Sequence, residues 1–212
     1  MKKIVIILIA IISFQGISQS SETKTKYQQG MLKAFDLWQN NQSLEAANMF
    51  ERIAIAEPDN WLPPFYIAQI NVFNSFSEKD KTTVTAQLGK ARDFLNDAMA
   101  LSKDNPEIMV LEAQWYTAWV VFDGMQYGMK YSPKIAELYQ KAMQLAPENP
   151  RVVLGNTEWQ MGSAQFFGQP VDKYCPEIER AIALFDTFEP EGEFYPRGGK
   201  DYAESVLAKT CK

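Results

Sequence analysis

The sequence predicts an all-α fold of antiparallel helix pairs stacked in a row, and three observations carry that expectation. Nearly the same helix ending occurs three times, as Ile53-Ala54-Ile55-Ala56-Glu57-Pro58-Asp59-Asn60, Ala98-Met99-Ala100-Leu101-Ser102-Lys103-Asp104-Asn105-Pro106 and Ala142-Met143-Gln144-Leu145-Ala146-Pro147-Glu148-Asn149-Pro150. The copies start 45 and 44 residues apart, a period of stacked two-helix units rather than of one closed core. Between the endings, apolar residues recur at three- and four-residue steps, so each helix has one face to bury.

The first unit opens with Lys24 to Asn40, where Tyr27, Met31, Ala34, Leu37 and Trp38 form an amphipathic stripe. Asn40-Asn41-Gln42-Ser43 interrupts it, and Ser43 can cap a second helix that buries Ala46, Phe50, Ile53 and Ala54. Pro58-Asp59-Asn60 stops that helix. The second unit starts at Trp61, with Pro63 and Pro64 in a first turn where a missing N–H costs nothing, and continues through Tyr66, Ile67, Ile70, Val72 and Phe73. Ser77 to Thr83 reads as a loop and Thr85 to Ser102 as the partner helix, presenting Leu88, Ala91, Leu95, Ala98 and Met99.

A third unit begins at Pro106 and holds the most apolar stretch, Met109 to Phe122, whose Trp115, Tyr116, Trp119 and Phe122 cover more than one face. The glycines of Gly124 to Ser132 suggest a connection, and Pro133 then opens a helix carrying Ile135, Leu138, Tyr139, Ala142 and Leu145. The fourth unit is less regular: Pro150 to Ala164 is helical, Phe166-Phe167-Gly168-Gln169-Pro170 breaks it, and Pro176 starts a helix to Thr187. Glu191 to Gly199 is turn-rich, and Lys200 to Lys209 is a short final helix.

Targeting is written at the start of the chain. Met1-Lys2-Lys3 is basic, and Ile4 to Phe14 is an apolar run of signal-peptide rather than membrane-span length. Gly16 and Ser18 place the cut before Gln19, with Ser18 and Ser20 offering a cut before Ser21; no cysteine stands there to take a lipid. The expected division is a leader over 1–18 (or 1–20), a helical repeat domain of about four pairs over 24–187, and a C-terminal turn and capping helix over 188–212. The expected location is periplasmic or secreted.

The chain carries 21 basic and 26 acidic residues, and losing Lys2 and Lys3 makes it more acidic still. With no basic cluster it would repel phosphate backbones, so nucleic acid is not an expected partner, nor is stable membrane insertion after cleavage. Cys175 and Cys211 are either two free thiols or, in an oxidising compartment, a disulfide tying the last helix to the fourth unit, worth roughly 3–4 kcal/mol. The chain has no histidine, which removes the usual base of hydrolytic triads and the commonest metal ligand. No metal site and no cofactor are expected.

The repeat positions resemble those of the tetratricopeptide repeat family. Ala46, Phe50, Ile53 and Pro58 match the small, large apolar, small and proline positions of its second helix. Ala91, Leu95 and Ala98 do so in the second unit, and Tyr139, Ala142 and Pro147 in the third, where Ile135 replaces the small residue. Ala34, Ala68 and Ala113 match its first-helix small position. The likeness covers about 27–150 and implies a short right-handed solenoid. The family's 34-residue unit is exceeded by about ten residues, which must lengthen the helices or the loop within each pair. Asn149-Pro150-Arg151 and Phe167-Gly168-Gln169 also resemble exported repeat proteins of the Bacteroidota group.

The family's inner groove, carried onto this chain, comprises Gln69, Phe73, Gln114, Thr117, Ala118, Glu158 and Met161, with Phe73 and Met161 alternatively core contacts. Mixed apolar and amide character suits an extended peptide or partner helix, so the expected function is non-catalytic binding of an envelope protein or peptide. A structural homo-oligomer is the alternative. A carboxylate hydrolase would need Asp123 and Glu158 to converge, which their spacing does not require. The five tryptophans read first as core, with Trp61 the one expected to be partly exposed. Pro196-Arg197-Gly198-Gly199-Lys200 reads as a plain turn before an anion site.

Overall fold

The computed structural model describes residues 24–211, so the expected leader and its cleavage site lie outside the described residues. Among the described residues the fold is nine α-helices and one short 3-10 turn, without strands. They are α1 Lys26–Gln39, α2 Ser43–Ala56, α3 Leu62–Ser75, α4 Lys81–Leu101, α5 Pro106–Phe122, α6 Gly124–Leu145, α7 Pro150–Phe166, α8 Cys175–Thr187 and α9 Lys200–Thr210. Each helix packs on the next, and α3 meets α5 as α5 meets α7, so the first helices of successive pairs form a layer of their own. This is a helical-repeat, solenoid-like stack. No described helix is long and apolar enough to cross a membrane.

Local signals set the helix ends. Asn105 and Asn149 cap α5 and α7, accepting from Glu107 N and Arg151 N, with proline at the first helical position of each. Asp80 caps α4 by accepting from Thr83 N at 2.8 Å, and so starts that helix at Lys81, four residues before the expected Thr85. The larger correction concerns 124–132, expected as a connection. Asp123 ends α5 and caps α6 at once, and the segment forms the first turns of a 22-residue helix with Pro133 inside it. Tyr127 and Tyr131 pack at a tilt against the aromatic rings of α5, and that packing outweighs the poor helix propensity of Gly124 and Gly128. The extra length of the second and third units therefore lies largely in their second helices, where α4 and α6 have 21 and 22 residues against 14 in α2 of the first.

The main core runs through α1–α5 around Met31, Phe50, Phe65, Ile67, Leu88, Leu95 and Leu111. A second cluster joins α5, α6 and α7 through Val110, Ile135, Tyr139 and Val152, and a third joins α7, α8 and α9 through Leu154, Met161, Ile178 and Ala203. At the α6–α7 crossing a Cβ on Gly155 would stand 2.9 Å from the Tyr139 ring, so only glycine allows this approach. Cys175 and Cys211 form a disulfide that ties the end of α9 to the start of α8.

The first-helix layer also carries a buried polar staple. Glu107, 2% exposed, accepts from Asn149 Nδ2 at 2.5 Å and from Arg151 Nε and Nη2 at 2.7 and 2.5 Å. The bidentate pairing and the added amide satisfy a carboxylate that burial alone would penalise.

Candidate functional site

The segment 188–199 is more than a turn between helices. It crosses the layer made by α1, α3 and α7 and fills part of it. Phe194 packs edge-on against Tyr27 at 5.5 Å and stacks on Phe35 at 6.1 Å, while its carbonyl accepts from the Tyr66 hydroxyl at 2.7 Å. Tyr195 meets Trp61 at 5.8 Å, which leaves Trp61 half-buried, and the Arg151 guanidinium lies 4.5 Å from the Phe188 ring centre. Gln28 Nε2 donates to Glu193 at 2.9 Å. Burial pushes the Tyr66 phenol up, so its hydroxyl stays a donor.

The groove residues carried over from the repeat family separate into three groups. Gln69 and Phe73 lie on α3, where Gln69 is half-buried and Phe73, 43% exposed, faces the Trp38 ring at 6.5 Å. On α5, Gln114 is half-buried, Thr117 donates its hydroxyl to Ala113 O at 2.8 Å, and Ala118 is buried in the main core. On α7, Met161 is buried among Leu154, Ile178 and Ala203, and Glu158 accepts from the Tyr202 hydroxyl of α9 at 2.5 Å. Burial holds the Glu158 carboxyl above the usual range, with Tyr202 pulling it back down. Asp123, the other carboxylate weighed for catalysis, is occupied as the α6 cap, accepting from Gln126 N at 3.0 Å. Arg197 donates to Gly192 O and Glu193 O within the turn, and Lys200 pairs with Asp186 of α8, so both cations of 196–200 have partners within the fold.

A different surface has the stronger binding character. Five aromatic side chains, all half-buried, form a continuous array on the α5–α6 hairpin: Trp115, Tyr116, Trp119, Tyr127 and Tyr131. Tyr116 meets Tyr131 at 4.9 Å, Trp119 meets Tyr127 at 4.9 Å, and the Tyr127 and Tyr131 rings lie parallel at 5.6 Å. Arg92 of α4 clamps one end, its guanidinium 4.0 Å from the Trp115 ring centre and bonded to Glu112 at 2.9 Å. The Lys130 ammonium lies 5.0 Å from the Tyr131 ring. Trp115 donates to Leu88 O at 2.7 Å, whereas Nε1 of Trp119 is buried without a protein partner. Met125 and Met129, one turn apart on the face of α6 turned away from Tyr127 and Tyr131, are 98% and 96% exposed, and Val121 is exposed at the end of α5. The spacing of Tyr127 and Tyr131, four residues apart like Ile135 and Tyr139, was the signal for this face, and the intervening glycines concealed it.

The described residues hold no group of three or more His, Cys, Asp or Glu side chains that could bind a metal. No family model matches the chain, and no curated protein matches it in sequence. Two solved structures share its fold. The HusA haemophore from Porphyromonas gingivalis matches with a TM-score of 0.75 at 21% identity, over 87% of this chain and 94% of that one. TTC0263, a thermophilic TPR protein of Thermus thermophilus, matches with a TM-score of 0.60 at 17% identity, over 87% of this chain and 89% of that one.

These likenesses correct the partner expected from sequence. A stack that follows this chain over most of its length is described as a haemophore, so the architecture does not point to an envelope protein or peptide. The chain's own 188–195 segment also occupies part of the face on which such a peptide was expected to lie. The protein is exported, in keeping with its leader sequence, and its disulfide belongs to an oxidising compartment.

Proposed function

We propose that this exported, non-catalytic protein binds a flat conjugated tetrapyrrole of the haem class on the aromatic surface of the α5–α6 hairpin. The observation that carries this is the five-ring array, none of whose rings is fully buried. A flat macrocycle laid there covers apolar surface that now faces water and gains ring–ring contacts worth about 0.5–1.5 kcal/mol each. Lys130 supplies a cation for the ring's carboxylates. The fold shared with a haemophore supports the choice of ligand class. With no histidine and both cysteines in a disulfide, the common nitrogen and thiolate ligands for haem iron are missing, and stacking has to supply most of the affinity. The scaffold itself we read as a tetratricopeptide-like solenoid with enlarged units, on the strength of its repeat positions and the likeness to TTC0263.

The test is a titration of the mature protein with haem and with metal-free protoporphyrin, followed by the porphyrin absorption band and by tryptophan quenching. Both ligands are expected to bind saturably. Tyr127→Ala combined with Tyr131→Ala is expected to weaken both by about tenfold or more. Phe73→Ala with Gln114→Ala on the inner face is expected to leave them unchanged. Loss in the inner-face variant alone would overturn the site, and failure of the intact protein to bind either porphyrin would overturn the function.

A further inference from the structure

The face of α6 turned away from Tyr127 and Tyr131 carries Met125, Met129, Ala136, Gln140 and Met143 at helical steps. On α7, Asn156, Gln160 and Ser163 lead in the same way to Phe167 at its C-terminal end. The inner halves of these two rows meet, because Ala136, Gln140, Met143, Asn156, Trp159 and Gln160 line one groove that is open to water. The outer halves reach the same edge of the stack, since Met129 and Phe166 lie almost equally far along their helices from the crossing of Tyr139 on Gly155. There Met125 and Met129 are joined by Phe166 and Phe167, 79% and 73% exposed. The outer α6–α7 face is thus an apolar strip that begins at half-buried Met143 and Trp159 and ends in four large exposed side chains.

Three observations favour a lipid surface over a second protein as its cover. Gln140, Gln144 and Gln160 stand out in water, so the strip offers no sunken polar group to fix a protein partner's orientation. The tip is ready to leave water, because the backbone N–H groups of Phe167, Gly168 and Gln169 already donate to Ser163, Gln165 and Ala164 carbonyls at 3.2, 3.1 and 2.8 Å. Charge points the same way: in a chain with an excess of acids, α6 carries Lys130, Lys134 and Lys141 against Glu137 alone, and Lys173 is exposed just past the tip. A two-fold pairing of this face with itself would bring those lysines towards their own copies, whereas lipid phosphates attract them. We propose that the strip docks the protein on a bilayer surface, with Phe166, Phe167, Met125 and Met129 at the boundary of headgroups and acyl chains and the Lys173 ammonium among the phosphates. No described helix can span a membrane, so the attachment is peripheral and reversible. Tyr127 and Tyr131 lie on the opposite face of α6, and docking leaves the aromatic array uncovered.

The experiment is flotation of the mature protein with vesicles of phosphatidylcholine that contain phosphatidylglycerol as the minor component. The protein is expected to rise with the vesicles and to stay at the bottom of the gradient without them. Phe166→Ser combined with Phe167→Ser is expected to lower the partition coefficient about tenfold or more, and Met125→Ser combined with Met129→Ser about fivefold. All four side chains are exposed, so circular dichroism and the thermal midpoint should not change. Ile55→Ser combined with Leu145→Ser removes exposed apolar groups elsewhere on the surface and is expected to leave partition unaltered. Failure of the intact protein to float, or an equal loss in the Ile55 and Leu145 variant, would overturn the proposal. Light scattering without lipid is expected to show a monomer; a dimer dispersed by the phenylalanine pair would assign the strip to a second copy and overturn it as well.

Discussion

Helices α1–α5 share one continuous core around Phe50, Phe65, Leu88 and Leu95, whereas α6–α9 divide their burial between two smaller clusters and close with a covalent bond. In the first region every helix contributes large side chains to a common interior, and no cross-link is needed. In the second, Phe166 and Phe167 stand exposed at the end of α7, α8 buries little more than Ile178 and Ala181, and α9 buries Ala203. The disulfide therefore stands where burial is thinnest. The two regions are not independent, because the 188–199 segment carries Phe194 back from the sparse end into the dense core. A stack of repeats that could unfold from one end is in this way closed on itself.

The largest effect is expected at the dense end. Phe50→Ala removes a fully buried ring that meets Phe35 at 5.3 Å and Tyr66 at 5.3 Å, and should cost about 3–5 kcal/mol in urea denaturation. Phe194→Ala tests whether the ends are coupled. It should cost about 3 kcal/mol and lower protection against amide exchange in α1 as well as in the segment itself. Loss of protection confined to 188–199 would show the segment to be a passive tail.

At the sparse end, replacing Cys175 and Cys211 by serine should cost about 2–3 kcal/mol, somewhat less than the loop-entropy figure, since α9 keeps its apolar contacts with α8. Amide exchange is expected to rise first in α9 and last in α3. A uniform rise through the chain would contradict the division into dense and sparse regions.

What the sequence made legible follows from how local each cause is. Helix stops at Pro58, Pro147 and Asn149-Pro150 act within a turn of their own residues, so pattern alone placed them. The first turns of α6 depend on rings of α5 meeting Tyr127 and Tyr131, and local propensity pointed the other way. The covering of the inner face rests on Tyr66 meeting Phe194 across 128 residues, and no periodicity records such a contact. Glu158 and Met161 occupy a helix that the repeat family uses for its groove, but here that face of α7 turns to α8 and α9. The final unit departs from the repeat, and inference by repeat position fails at that point.

The smallest expected effect is also the most specific to the sparse end. Glu158 accepts from the Tyr202 hydroxyl, and burial holds its carboxyl above an unfolded value of about 4.3. A raised folded value means that the native state binds the proton more tightly than the unfolded chain. Its contribution is thus fully favourable below about pH 4.3 and is lost as the pH rises through the folded value. Tyr202→Phe removes the one hydrogen bond that favours the ionised form, so Glu158 moves higher still and the window of pH-dependent loss widens. At neutral pH the variant should be about 1 kcal/mol less stable, and below about pH 4, where Glu158 is protonated in both proteins, the gap should narrow. Comparing urea midpoints of the two proteins from about pH 4 to pH 7 cancels the exposed carboxylates Asp80 and Asp104, whose lowered values act in the opposite direction. A gap that does not change with pH would mean that Tyr202 holds α9 by packing, with no part played by the Glu158 charge.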